Sequence, residues 1–415
     1  MGTQSCRWFF RLALAIVTLG VARPALADET LDRLLEQAMT GNPTIVAARQ
    51  RWEVVRAQEP QARALEDPVV SVTAWEIPSN FNLGDTSQTW YGIEQSFPFP
   101  GKRGLRGKIA ELEAEAADQE YRATSRRVRA DVKAAYARLY RVQREIAIHR
   151  EHQTLLNELI QIALKRYAVG QAAQQESLRA QVELSMLHVS LVALEQQRQS
   201  VRIELNTLAG RPDDPLFFGH AEIEYRPLSV VLDAMEASAL EQRPELHAAG
   251  RLVERQDEAV ALAKRGWSPD FMAEVSYWDV HGGPNRWMLV GKMTLPWLVA
   301  GKYRAKIAEE TAGRARAVAE VEVVRNETAA AVRDGFLKIH TAQTLIEIYQ
   351  GGIIAQAEQG LESARIAYTT GRTDFLNLID AERRLRDVRL AADMALADWA
   401  EQRAELERVA GFDLP

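Results

Sequence analysis

Apolar positions along this chain follow two different periods, and each period occurs twice. Between residues 102 and 168 there is no proline and little glycine. Within that stretch Val128, Val132, Ala135, Leu139, Val142 and Ile146 succeed one another at steps of four, three, four, three and four. Such steps are the seam of a coiled-coil helix. At 1.5 Å per residue the helix is a rod on the order of 100 Å long. A second rod is predicted over about 303–370. Ahead of each rod the period changes to two. Residues 69–77 and 88–97 are dense in β-branched and aromatic side chains. In 271–277, Phe271, Ala273, Val275 and Tyr277 alternate with Met272, Glu274 and Ser276. In 287–295, Trp287, Leu289, Met293 and Leu295 alternate with Met288, Val290, Lys292 and Thr294. These patterns predict two β-hairpins. The first has a long polar tip, Pro78 to Ser87, holding Asn80, Asn82, Gly84 and Asp85.

Shorter helices flank these parts. Residues 31–65 read as helix interrupted near Gly41-Asn42-Pro43, where proline suits a first turn, and Leu228 to Gln242 mirrors the first piece of it. Each rod stops at a glycine, Gly170 or Gly371, and a helix of about 37 residues runs back from it (173–209 and 373–410). A tight turn makes the pair an antiparallel helical hairpin. The returning helix is shorter than the rod, so the rest of the rod needs another cover. Residues 43–65 and 244–266 supply it.

The two halves are near-copies. Asn42-Pro43 is echoed by Arg243-Pro244, Gly101-Lys102 by Gly301-Lys302, and Val132, Tyr136 and Leu139 by Val332, Phe336 and Ile339. Tyr167-x-x-Gly170 returns as Tyr368-x-x-Gly371. The offset is 200 or 201, far longer than a solenoid unit of roughly 20–50 residues. The chain therefore divides into a first repeat over 28–227 and a second over 228–415.

Composition narrows the class. Charged residues are 26% and aromatic ones 7%, as long helices require. Residues 1–27 read as an export signal: Arg7 and Arg11, then an apolar run from Leu12 to Val21, then Ala25-Leu26-Ala27. Its removal takes Arg7, Arg11 and Arg23 and no acid, so the net charge moves from −6 to about −9. That balance speaks against nucleic acid as a partner. The one cysteine, Cys6, leaves with the signal, and no other stretch is apolar enough for a transmembrane helix. No phosphate loop or dinucleotide fingerprint appears. His149 and His152 lie three apart and are expected on a solvated helix face, without a metal-site cluster around them. The chain is read as a non-enzyme with no cofactor and no resident metal.

The β-segments have the length a tilted strand needs to cross a membrane, although a strand pair of a soluble sandwich has the same alternation. Four strands cannot close a barrel, and lipid tolerates no open edge. Three copies give twelve strands. On these grounds the chain resembles the TolC-type outer-membrane factors. The match covers essentially the whole mature chain. It rests on the repeated order of elements and on Arg166-Tyr167-Ala168-Val169-Gly170 with Leu178-Arg179-Ala180-Gln181. In the second half it rests on Ala367-Tyr368-Thr369-Thr370-Gly371 with Phe375-Leu376-Asn377-Leu378-Ile379-Asp380-Ala381. The resemblance implies a mainly α fold with a membrane β-barrel portion: a homotrimeric 12-stranded barrel in outer-membrane lipid, continued by an α-helical barrel into the periplasm. It implies a periplasmic adaptor and an inner-membrane pump of RND type as partners. Phe97-Pro98-Phe99-Pro100-Gly101-Lys102-Arg103-Gly104 resembles the heavy-metal branch, the CzcC-like and CusC-like ducts.

The same resemblance implies a periplasmic gate of acidic or polar side chains, at Glu176 in the first hairpin and at Asn377 and Asp380 in the second. Carboxylates in a narrow neck focus a cation-attracting field. Tyr167, Gly170, Tyr368 and Gly371 mark the hairpin tips, where the adaptor docks and where the tyrosines are expected to pack under the turns. Glu274, Lys292 and Thr294 are expected to face the barrel lumen. Two other functions stay open at this point: a drug-efflux or type I protein-secretion duct of the same fold, and a soluble periplasmic coiled-coil adaptor or scaffold.

Overall fold

The computed structural model describes residues 31–77, 79, 81–82, 86–215 and 219–414. The export signal lies outside the described residues, as do Asn80, Gly84 and Asp85 of the first hairpin tip.

The first half begins with α1 (Leu31–Gly41), α2 (Pro43–Arg56) and α3 (Gln58–Arg63). Asn42 explains the break between the first two. Its side chain accepts the Thr44 amide at 2.8 Å, capping α2, and donates to the Leu208 carbonyl at 2.8 Å. Strands β1 (Val69–Trp75) and β2 (Gln88–Phe97) follow, then the rod α4 (Lys102–Ala168) and its partner α5 (Gln174–Leu208). The second half contributes α6 (Leu232–Gln242), α7 (Pro244–Arg265), β3 (Phe271–Val280), β4 (Arg286–Met293), α8 (Ala300–Ile348), α9 (Ile354–Thr369) and α10 (Phe375–Ala410). Among the described residues no helix is long and apolar enough to cross a membrane.

The second rod is not continuous. Tyr349–Ile353, which includes Gly351 and Gly352, forms a π-helical segment between α8 and α9. The repeat accounts for it. Along the rods the halves match at an offset of 200 before this point (Lys102 and Lys302, Val132 and Val332) and at 201 after it (Tyr167 and Tyr368). The second rod carries one extra residue, and a wide π turn absorbs one extra residue without turning the rest of the helix out of phase.

Along α4 the cover changes from α2 and α3 near the sheet to α5 near the far end, and α7 and α10 pack on its other side. Each half has its own core. Leu34, Val132, Leu139 and Leu205 join α1, α4 and α5, and Met235, Ile339, Trp399 and Leu406 join α6, α8 and α10. The rod is tied to the sheet at its start. Lys102 is buried, and its ammonium donates to Asp270 Oδ1 at 2.9 Å and to the Ser268 carbonyl at 2.8 Å, just before β3.

The strands form one antiparallel sheet in the order β1-β2-β3-β4. The pair β2–β3 joins the halves, and β1 and β4 each have one unpaired edge. Cross-strand rows separate the two faces. Val70, Ile93, Val275 and Leu289 make one row, and Val72, Tyr91, Tyr277 and Trp287 the next. Both rows are open to the surroundings, with Val70 72%, Trp287 74% and Leu289 77% exposed. A soluble sandwich would bury such side chains; left open, they mark a face made for an apolar partner, as the outer face of a membrane barrel is. The opposite face carries the rows Val69, Glu94, Glu274, Val290 and Thr73, Trp90, Trp278, Arg286.

Candidate functional site at the hairpin tips and the polar sheet face

Both helical hairpins reverse by the same local geometry. Gly170 and Gly371 take φ of 74° and 73°, the left-handed conformation that glycine adopts without a Cβ penalty. At the first tip the Gln171 amide donates to the Arg166 carbonyl at 2.8 Å and the Gly170 amide to Tyr167 at 2.9 Å. At the second, Arg372 donates to Ala367 at 2.8 Å and Gly371 to Tyr368 at 3.0 Å. This pairing satisfies the last carbonyls of each rod. Asp374 then caps α10, its carboxylate accepting the Asn377 amide at 3.0 Å.

The two tip tyrosines have different surroundings. Tyr368 is 1% exposed, whereas Tyr167 is 46% exposed and does not pack under its turn within the chain. The difference lies in their neighbours. The Tyr368 hydroxyl donates to Glu176 Oε2 at 2.7 Å. Arg166 lies over its ring at 4.4 Å and donates to its carbonyl, and Phe375 meets it edge-on at 5.5 Å. Burial, and then the Glu176 carboxylate, raise the phenol well above its usual pKa, so it stays a donor. Tyr368 thus fastens the second hairpin to both helices of the first.

Among the expected gate residues, Glu176 is half-buried and engaged by Tyr368 rather than free in a neck. Asn377 and Asp380 are exposed on α10, and Asp380 Oδ1 lies 3.9 Å from Arg383. Arg383 in turn donates to both oxygens of Glu183 on α5, and Arg386 approaches the same carboxylate at 3.6 Å. The Arg383 bond holds Glu183 below the usual glutamate pKa. A groove of about 460 Å³ runs between α5 and α10 beside this pair, lined by Leu178, Val182, Leu376 and Ile379 among others.

Sequence reasoning missed three contacts here: the one Arg166 makes with Tyr368, the Glu183–Arg383 bridge and a buried pair further up. His152 is not on a solvated face. It is 4% exposed and lies against Glu382, itself 3% exposed, across the α4–α10 contact. His149 instead faces the Glu145 carbonyl of its own helix at 2.8 Å. The signal was present in the pattern. Phe375, Leu378, Glu382 and Leu385 are buried at steps of three, four and three, so Glu382 occupies a seam position on α10.

On the sheet, Glu274 and Lys292 lie on the polar face, opposite the apolar rows. Lys292 Nζ donates to Glu94 Oε2 at 2.6 Å and to Glu274 Oε2 at 3.1 Å. Thr294 sits just beyond β4, where its hydroxyl accepts the Asp270 amide at 2.8 Å and its own amide donates to the Asp270 carbonyl at 2.9 Å. Among the described residues no three His, Cys, Asp or Glu side chains come together as a metal site.

A family model described as "Outer membrane efflux protein" matches residues 34–211 and 237–412. The nickel-cobalt-cadmium resistance protein NccC of Alcaligenes xylosoxydans xylosoxydans is 26% identical over 200 residues, 48% of this chain and 46% of that protein. The cobalt-zinc-cadmium resistance protein CzcC of Cupriavidus metallidurans is 21% identical over 393 residues, 94% of this chain and 91% of that one. Among solved structures, CusC superposes with a TM-score of 0.80 at 16% identity, covering 93% of each chain.

Proposed function

Because the chain belongs to the outer membrane efflux protein family, we propose that three copies form the outer-membrane duct of a tripartite efflux system that exports heavy-metal cations. As an outer-membrane transport protein it is not an enzyme. One observation carries the duct reading: a four-stranded sheet with one apolar face and two open edges stands on a rod of 67 residues. Pairing β4 of one copy with β1 of the next closes twelve strands and leaves no edge in lipid. The same seam continues down the helices. Leu178, Val182, Met186, Val189 and Val192 form an exposed apolar stripe on α5, which the second rod of a neighbouring copy covers.

The tip is the gate. The Tyr368–Glu176 and Arg383–Glu183 contacts hold the second hairpin against the first, and Asp380 and Asn377 stand exposed on the helix that would line the neck. Release of these contacts, after a periplasmic adaptor docks at Gly170 and Gly371, opens the tube to an inner-membrane RND pump. Support for metal cargo comes from the metal resistance of NccC and CzcC and from the Phe97–Gly104 segment. The test is a deletion strain scored for growth on cadmium, cobalt, zinc and nickel salts, beside the native mass of the extracted protein. Metal sensitivity with a trimeric mass is expected. A trimer whose loss leaves metal tolerance unchanged would reject the cargo and keep the duct.

A further inference from the structure

We propose that Trp278 and Arg286, supported by Trp90 and Trp75, form a contact site for planar aromatic carboxylates inside the outer mouth of the duct. The inference rests on the duct reading. Register places Thr73, Trp90, Trp278 and Arg286 in one cross-strand row, close to the loop end of the sheet. Trp90 and Trp278 are stacked, with ring centroids 4.1 Å apart and planes 5° from parallel. Trp75 leans on Trp90 at 5.3 Å.

Lipid does not explain these rings. They share a face with Glu94, Glu274 and Lys292, whereas the lipid-facing side has its own aromatic pair, Tyr277 and Trp287, at 5.1 Å. Girdle aromatics belong on that outer side. The inner stack narrows a water-filled passage at a cost in exposed apolar surface.

Two groups of the row are unspent. Trp278 Nε1–H is buried and has no acceptor. Arg286 is exposed and has no hydrogen bond or ion pair among the described residues. Trp90 covers one face of the Trp278 indole, so the other is turned toward β4, the strand of Arg286. A flat ring stacks on that face while its carboxylate meets the guanidinium, a pairing that suits both groups. Asp279, next to Trp278, belongs to the alternate face of β3, and the acids of the same face are distant. Glu94 and Glu274 lie four residues down their strands, about 13 Å away at 3.3 Å per residue, and Lys292 engages both. A hydrated metal cation gains nothing beside Arg286, so the site serves an organic anion.

The experiment uses the full-length trimer in a planar bilayer, with sodium 2-naphthoate added on the barrel side and sodium cyclohexanecarboxylate as the saturated control. Naphthoate is expected to interrupt the current with dwell times at least tenfold longer than the control. Trp278→Ala removes that difference, and Arg286→Gln lowers the interruption frequency about tenfold. If Trp278→Ala forms no trimer, Trp278→Phe is read instead and shortens the dwell. Equal dwell times for the two acids, or dwell times unchanged by the Trp278 variants, overturn the site. A preparation without conducting pores overturns the duct reading itself.

Discussion

The hydroxyl of Tyr368 donates to the carboxylate of Glu176 over 2.7 Å, joining the end of the second rod to the start of α5 across 192 residues of chain. Hydrogen bonds to charged acceptors contribute about 1.5–3 kcal/mol. Tyr368→Phe keeps the ring under Arg166 and against Phe375 and removes only this bond. Its expected effect is a severalfold rise in single-channel conductance with no loss of trimer. Conductance equal to wild type would remove the bond from the gate.

Acid should act on the second tip contact. Arg383 keeps Glu183 below the usual 4.5 of glutamate. A carboxylate with a depressed folded pKa stabilises the folded arrangement above its unfolded pKa, and that contribution is lost as pH falls through the folded value. Tip closure is therefore expected to weaken below about pH 4.5, seen as conductance rising on acidification of the helical side. Glu183→Gln should be open already at neutral pH, and its conductance should vary less with pH in that window.

The buried His152–Glu382 pair makes a prediction about stability. Burial lowers the His152 pKa to about 4, so the imidazole is neutral beside Glu382; leaving one buried polar partner unsatisfied costs about 1–3 kcal/mol, whereas an apolar replacement of both is often nearly neutral. His152→Leu should lower the temperature at which the helical signal is lost in circular dichroism. The double variant His152→Leu with Glu382→Leu should recover most of the loss. A double variant no more stable than the single one would show that the pair does not act as a unit.

In the barrel, Glu94 and Glu274 are directly opposite each other, and Lys292 stands between them. Lys292→Met leaves two carboxylates per chain on the face proposed to line the lumen. The reversal potential in a salt gradient should shift toward cation selectivity, and the shift should shrink at high ionic strength.

Much of this was legible in the residues. The absence of proline between 102 and 168 bounded α4 as the structure has it, Lys102–Ala168. Strict alternation in 271–277 and 287–295 placed Glu274 and Lys292 on one face. What periodicity could not reveal was partnership. Tyr167 and Tyr368 sit in matching motifs, and only the neighbours that tertiary packing brings, Glu176 and Arg166, bury one and not the other. His152 reads as polar and hence solvated until α10 brings Glu382 against it. The second rod reads as unbroken over about 303–370, yet the step from an offset of 200 to 201 between Ile339 and Tyr368 carries the extra residue that the π segment absorbs.

The π segment at Tyr349–Ile353 bears on the mechanics of the assembled tube. Its i→i+5 turn interrupts the regular i→i+4 ladder, Gly352 leaves helical φ/ψ, and Gly351 has no neighbour within 4 Å of where a side chain would begin. The first rod of each copy has no such joint. Around a trimer, three unbroken staves therefore alternate with three jointed ones. If the proposed duct opens at its tip, bending is expected to concentrate in every second stave, with a triangle of moving hairpins set against a fixed triangular frame, so that the six near-identical hairpins would not share the motion equally.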